Sequence, residues 1–474
     1  MSGTDWRVWA RIGFLSFGGP AGQIALMHHE LVERRRWIDE ARFLHALNFC
    51  MILPGPEAMQ LATNVGWMRG GWRGGLVAGG LFVLMHHELV ERRRWIDEAR
   101  FLHALNFCMI LPGPEAMQLA TNVGWMRGGW RGGLVAGGLF VLPGALAVMA
   151  LAWVYVLAGT LGPLAGVLAG LKAAVIALVA MALVRLTKKA LLSRFHRVLA
   201  LGAFGALFVL GLPFPLVVLG AALLGYALAR GKGVDRGSQD GPADRGAMLR
   251  TGLVWLALWL VPVAGLLALL GPGHVMAEVA LLFSQLAVLT FGGAYAVLAW
   301  VAQTAVEGYG WLTPAQMIDG LALAETTPGP LILTLQFVGF MAGFNASGGS
   351  LAMGTLAGLV ALWVTFAPCF LWIFALAPMA ERLRRNPALA GALAAVTAAV
   401  VGVIASLALW FAVHALFSQT QRVGAMDLPV WSSLDAGMAG LSLLALLAGF
   451  GLRLGAGALI SGCALAGLAL HLVS

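Results

Sequence analysis

Charge is what this chain of 474 residues has least of: Asp, Glu, Lys and Arg together make up 11% of it, and 60% is hydrophobic. Soluble domains keep about a quarter of their residues charged, so a water-exposed globule is excluded. Cysteine is scarce as well. The four present (Cys50, Cys108, Cys369 and Cys463) form no C-x-x-C, which leaves neither a disulfide framework nor a zinc site to expect. No Walker A loop, G-x-S-x-G elbow or H-E-x-x-H helix occurs, so ATP-driven pumping and hydrolysis lack support. An enzyme or a sensor would need a clustered nucleophile, base or metal set. None is found, and no catalytic residue, metal or cofactor is expected. The opening "MSGTDWRVWARIGF" lacks the basic start, apolar stretch and small-residue site of a cleaved signal.

What is there in abundance is long apolar runs. Leu134–Tyr155, Leu164–Val184, Leu253–Leu270 and Leu351–Pro378 are examples, each long enough to cross a roughly 30 Å hydrocarbon layer as a helix. Only helices or closed barrels satisfy their backbone groups in lipid. The runs are continuous rather than alternating, which excludes barrel strands. The expectation is an all-α polytopic membrane protein, with the lipid bilayer as its surroundings. Its net charge of +9 needs no nucleic acid as partner, because the basic residues sit in short loops between apolar runs.

Two kinds of repeat organise the chain. Residues 27–84 and 85–142 are identical, a shift of 85 − 27 = 58 positions. Repeats kept only for their pattern drift. Identity therefore points to a very recent duplication, an engineered insertion or an assembly error, and a functional repeat is the weaker reading. The other repeat is old. "LSFGG" at Leu15–Gly19 returns as "LTFGG" at Leu289–Gly293, an offset of 289 − 15 = 274. At that offset "VERRRWI" meets "VEGYGWL", "LPGP" meets "TPGP", and Gly74-Gly75 meets Gly348-Gly349. The chain reads as two homologous halves, 1–229 and 251–474, joined by a hydrophilic linker over 230–250.

Matching loops differ in charge. "ERRRWIDEAR" is basic and "EGYGWLTPAQ" is not; "MRGGWRGG" is basic and "GFNASGG" is not. In the later pairs, "ERLRRNP" outweighs "AGTLGP", and "RLTKKALLSRFHR" outweighs "SQTQRVG". Basic loops stay cytoplasmic, so corresponding loops fall on opposite sides and the repeats are inverted. The loops at 33–42 and 69–73 are both basic. The chain between them must enter and return, as a hairpin with Pro-Gly-Pro at its turn. A re-entrant Phe-Gly-Gly segment then leaves the N-terminus and the linker inside; a full crossing would cost one other span.

Pro-Gly-Pro breaks a helix and starts another just after it. A helix N-terminus at membrane depth presents unpaired N–H groups and a positive dipole end to an anion. The candidates for substrate binding are therefore Pro54, Gly55 and Pro56, their copies Pro112, Gly113 and Pro114, and Pro328, Gly329 and Pro330. Gly18, Gly19, Gly292 and Gly293 join them, since glycine pairs admit close backbone approach. Glu57 and its copy Glu115 follow the first motif, and Glu325 precedes the second; ionisable groups in apolar spans default to function. For Glu57, capping of a helix's first turn competes with that reading. Gln60, its copy Gln118, Asn64, Thr326, Thr327 and Gln336 offer neutral hydrogen bonds, each alone also explicable as interhelical glue. Kinks and small-residue packing would account for a lone Pro-Gly, but not for both motifs paired across halves. Arg34–Arg36 read as topology anchors, with gathering of anions at the cytoplasmic mouth as the weaker alternative. His28-His29 read as interface residues rather than metal ligands.

The stretches "FLSFGGPAGQIALMHHELVERRRWIDEARFLHALNFCMILPGPEAMQLA" and "LTFGGAYAVLAWVAQTAVEGYGWLTPAQMIDGLALAETTPGPLILTLQFVGFMAG" resemble the two signature regions of the chromate ion transporter (CHR) family. Its long-chain members have two such halves, so the resemblance covers nearly the whole chain; the 58-residue duplication departs from it. The resemblance implies export of chromate across a bacterial inner membrane and chromate resistance, with sulfate as a related or competing substrate. A sulfate or other oxyanion carrier or channel is the alternative. A homodimer is compatible with either.

Overall fold

The computed structural model describes residue 108 and residues 111–158, 162–230, 245–290, 294–327, 330–376, 387–452, 454 and 456–473. All of these belong to one of two compact units, Ala104–Ser474; the other, Met1–His103, lies outside the described residues. So do the expectations placed on Gly18, Gly19, Pro54–Glu57, Gln60, Asn64, His28-His29 and Arg34–Arg36.

Helices carry almost everything. In chain order they are α1 (Glu115–Ala158), α2 (Gly162–Ala190), α3 (Arg194–Phe208), α4 (Phe214–Ala229), α5 (Arg245–Leu270), α6 (Val275–Leu289) and α7 (Ala294–Ala302). They continue with α8 (Pro314–Thr326), α9 (Thr334–Ala346), α10 (Leu351–Leu376), α11 (Pro387–Leu416), α12 (Ala436–Leu446) and α13 (Ala456–Val473). Among the described residues the one sheet is a hairpin of β1 (Thr420–Val423) and β2 (Met426–Pro429), antiparallel with Thr420 opposite Pro429. Among the described residues five helical stretches are long and apolar enough to span a membrane: Gly128–Ala158, Gly162–Lys188, Met248–Leu270, Leu351–Leu376 and Pro387–Leu416. The apolar runs Leu134–Tyr155, Leu164–Val184 and Leu253–Leu270 fall inside them, and Leu351–Pro378 does so as far as Leu376. This is an all-α polytopic membrane protein.

The ends of the helices follow local chemistry. Thr313 caps α8 through a capping box with Gln316, and Pro314 occupies its first turn, where a missing N–H costs nothing. Ser193 accepts from His196 N to start α3, and Asp435 accepts from Met438 N to start α12.

Two hairpins share one construction. α9 leads into α10 through Gly348 and Gly349, at φ +68° and +103°, where a side chain would be strained. α1 folds back on itself at Gly128-Gly129, with Gly129 at φ +60°. Gly124 then meets Gly132, and Gly137 meets Thr121 and Met117, contacts a straight helix could not make. The repeat alignment puts the first-half turn at Gly132-Gly133, the copy of Gly74-Gly75. The chain turns one pair earlier and uses Gly132 and Gly133 for close approach instead.

α8 and α9 have 13 residues each. At 1.5 Å per residue each is about 20 Å long, too short for a roughly 30 Å core. They pack on one another, and Thr-Pro-Gly-Pro lies between them in the sequence.

Glycine replaces the hydrophobic effect as the glue between helices, since lipid tails are as apolar as the side chains they would exclude. α2 packs on α13 through Gly166 and Gly170 against Gly467 and Cys463; α4 meets α11 through Gly225 and Gly391. α3 lies on α11 through Gly402.

Candidate functional site

The first-half motif, in its second copy, is a short non-helical turn over Leu111–Pro114, and α1 starts directly after Pro114. Gly113 sits at φ +120°, with its N–H donating to the Thr290 carbonyl at 2.9 Å. Gln118, one turn into α1, reaches back so that Nε2 donates to the Pro112 carbonyl at 2.6 Å. A Cβ on Gly113 would lie 2.8 Å from Gln118 Nε2 and 2.9 Å from Cys369 Sγ of α10. The turn is a fitted cradle in which only glycine goes.

Thr290 ends α6 and is the residue before Phe-Gly-Gly, whose Gly292 and Gly293 lie outside the described residues. α7 begins just beyond. There the Tyr295 hydroxyl donates to Glu325 Oε1 in the last turn of α8. Arg185 of α2 is near enough to act electrostatically on that tyrosine. Beyond Thr327 come Pro328 and Gly329, again outside the described residues, then Pro330 and a tight turn, Leu331–Leu333, that carries no side-chain cap. This turn packs against both α1 and α7. The structure thus brings the first-half Pro-Gly-Pro, in its second copy, against Thr290, the residue before the second Phe-Gly-Gly.

The neutral candidates are placed as follows. The Thr326 and Thr327 hydroxyls donate back to the Leu323 and Ala324 carbonyls, closing the end of α8. Gln336 Nε2 donates to the Ala145 carbonyl, joining α9 to α1. The amide oxygens of Gln118 and Gln336 are buried and accept no hydrogen bond among the described residues. The Glu115 side chain lies outside the described residues.

One cluster escaped the sequence reading. Lys172 of α2, Asp319 of α8 and Tyr155 of α1 meet in the apolar body. Removing one partner of such a buried pair costs about 3–5 kcal/mol, because the other charge is left alone. The signal was available: one lysine and one aspartate, each inside an apolar stretch of its helix. A pocket lined by Phe214, Trp300, Gln303, Glu307, Trp410 and Asp427 shares no residue with the motif cluster. Among the described residues no group of His, Cys, Asp or Glu could hold a metal.

A helical membrane protein whose helices are interrupted by Pro-Gly-Pro turns has the construction of a polytopic transporter. The chain belongs to the chromate transporter family, whose model matches residues 6–85, 79–226 and 277–468. The first two matches meet at the junction of the duplicated copies, Leu84–Met85. It is 34% identical to the chromate transport protein of Pseudomonas aeruginosa over 68% of this chain and 73% of that protein. It is 30% identical to a probable chromate transport protein of Synechococcus elongatus, over 70% and 80% respectively. With the chromate transport protein of Cupriavidus metallidurans the identity is 28%, over 68% and 74%. No solved structure matches.

Proposed function

We propose that the protein is a secondary transporter that exports chromate across the bacterial inner membrane and so confers chromate resistance. Its two halves, 1–229 and 251–474 around the linker 230–250, act as inverted repeats that rock about one oxyanion site. The single observation that carries this is the Gly113 N–H···Thr290 O hydrogen bond, which locks the first-half Pro-Gly-Pro onto the residue preceding the second-half Phe-Gly-Gly. The uncapped turn after Pro330 supplies helix N–H groups beside it, where an oxyanion is stabilised without a resident cation. The named chromate transport relatives support the substrate. Pro112–Glu115, Gln118, Gly292, Gly293 and Glu325–Pro330 form the site in this reading, with Gly18, Gly19, Pro54–Glu57 and Gln60 as its first-half counterparts.

Chromate accumulation in everted membrane vesicles tests it. Gly113→Leu should insert normally yet lose transport at least tenfold, since its side chain would collide with Gln118 and Cys369. Full transport by that variant would reduce the turn to a kink. Loss of chromate accumulation in excess sulfate, with labelled sulfate accumulating instead, would favour the sulfate carrier.

A further inference from the structure

Two opposite charges sit where α2 of the first half meets α8 of the second. Lys172 Nζ stands 3.2 Å from Asp319 Oδ1, an ion pair without the direction of a good hydrogen bond. The Tyr155 hydroxyl donates to Asp319 Oδ2 at 3.0 Å. The aspartate side chain is 5% exposed and the lysine side chain 21%, so the lysine is the less enclosed partner of the pair. An ammonium has three donors, and one carboxylate oxygen occupies this one. Asp319 lies six residues before Glu325 on α8, about 9 Å along the axis from the tip that carries Thr-Pro-Gly-Pro.

We infer that Lys172 is a second binding residue for the oxyanion, and that Asp319 is the built-in anion it releases. Accepting the oxyanion-carrier reading, on which this rests, the exchange has a fixed stoichiometry. Neither charge survives alone in a low-dielectric interior. When the dianion takes the ammonium, the displaced carboxylate must be neutralised, and one proton from water binds an Asp319 oxygen. Tyr155 can turn from donating to the carboxylate to accepting from the acid. Lys172 and Tyr155 are the charged and titratable groups acting on Asp319 among the described residues. α9 contains no ionisable residue, and α11 contains only His414, which pairs with Asp427. The other cations of α2, from Arg185 onward, lie roughly 20 Å further along the helix. On α1 the remaining ionisable residues are Glu115, Arg127 and Arg131, near the turn or before it.

The test uses the full chain in liposomes, with chromate affinity measured by equilibrium dialysis from mildly acid to mildly alkaline pH. Wild type, Asp319→Asn and the double variant Lys172→Gln with Asp319→Asn are compared, so that protonation of chromate itself cancels. Wild-type affinity should fall with pH more steeply than that of Asp319→Asn, by about tenfold per pH unit, the slope of one linked proton. The double variant keeps a neutral, hydrogen-bonded pair between the halves and should bind chromate at least tenfold more weakly. It carries the test by itself if Asp319→Asn fails to insert. Parallel pH profiles, or full binding by the double variant, would make the pair a fixed staple and overturn the inference alone. A wild type that binds no chromate at any pH would overturn the carrier reading as well.

Discussion

At Glu307 the fold holds a carboxyl against its preference. The residue closes the turn Gln303–Gly308 after α7, outside the spans, and Arg422 of the hairpin reaches it at 3.3 Å. Burial, and after it the neighbouring Asp427, push its carboxyl above the usual range; Arg422, then Trp410 and His414, pull the other way without winning. A raised folded-state value means the fold favours the neutral acid. That contribution is complete below the unfolded value of about 4.3 and is lost as pH rises through the folded value. At about pH 7 the ionised side chain is therefore a burden on stability. Glu307→Gln should raise the thermal midpoint of the purified protein there, with the gain shrinking to nothing as the buffer is acidified toward about pH 4. A midpoint lowered at neutral pH would show that the ion pair with Arg422 dominates.

Among the elements, α2 and α13 depend on a missing side chain. A Cβ on Gly170 would sit inside van der Waals contact with the Cys463 carbonyl, and one on Gly467 would meet Gly166 and Gly170 backbone. Rigid backbone cannot give way as a flexible side chain can. Gly170→Val should cost about 1–3 kcal/mol or more, the range for overpacking a filled interior. Gly462, on the same α13, has open space where its Cβ would be. Gly462→Ala should gain about 0.5–1 kcal/mol by removing a flexible residue from a helix. Detergent-solubilised thermal unfolding of both variants checks the contrast. Equal effects would mean that the α2–α13 contact is loose in the membrane.

For the whole molecule, the inverted arrangement stands or falls on sidedness. Single cysteines at Asp39, Arg194 and Arg384, in a cysteine-free background, should be shielded from an impermeant thiol reagent added outside. Cysteines at Gly310, Ser347 and Gly162 should be labelled, because loops rich in Arg and Lys stay cytoplasmic. Asp39 and Gly310 labelling from the same side would make the halves parallel and end the rocking mechanism. The duplication bears on the same scale. Deleting 85–142 or 27–84 yields one and the same chain of 474 − 58 = 416 residues. The second copy supplies the Pro-Gly-Pro turn that grips Thr290, and the shortened chain still contains that turn in the same flanking sequence. It should transport chromate at least as well as the full chain in everted vesicles. Lost transport would show that the extra copy has a function.

Apolar runs determined the membrane class and the long spans by themselves, because a helix in lipid satisfies its own backbone and needs only length and hydrophobicity. Gly-Gly and Pro-Gly-Pro announced where helices break, since those residues carry their backbone limits wherever they stand. The turn at Gly128-Gly129 shows the boundary of that reasoning. Two glycine pairs four residues apart are equally permissive, and packing against Thr121 and Gly124 chose which one turns. The meeting of Gly113 with Thr290, and of Lys172 and Tyr155 with Asp319, was decided by tertiary structure alone. Those partners are more than 140 positions apart, and no spacing rule links them. Only the packing of α1 and α2 against α8, and of the turn before α1 against the end of α6, brings them within a few ångströms.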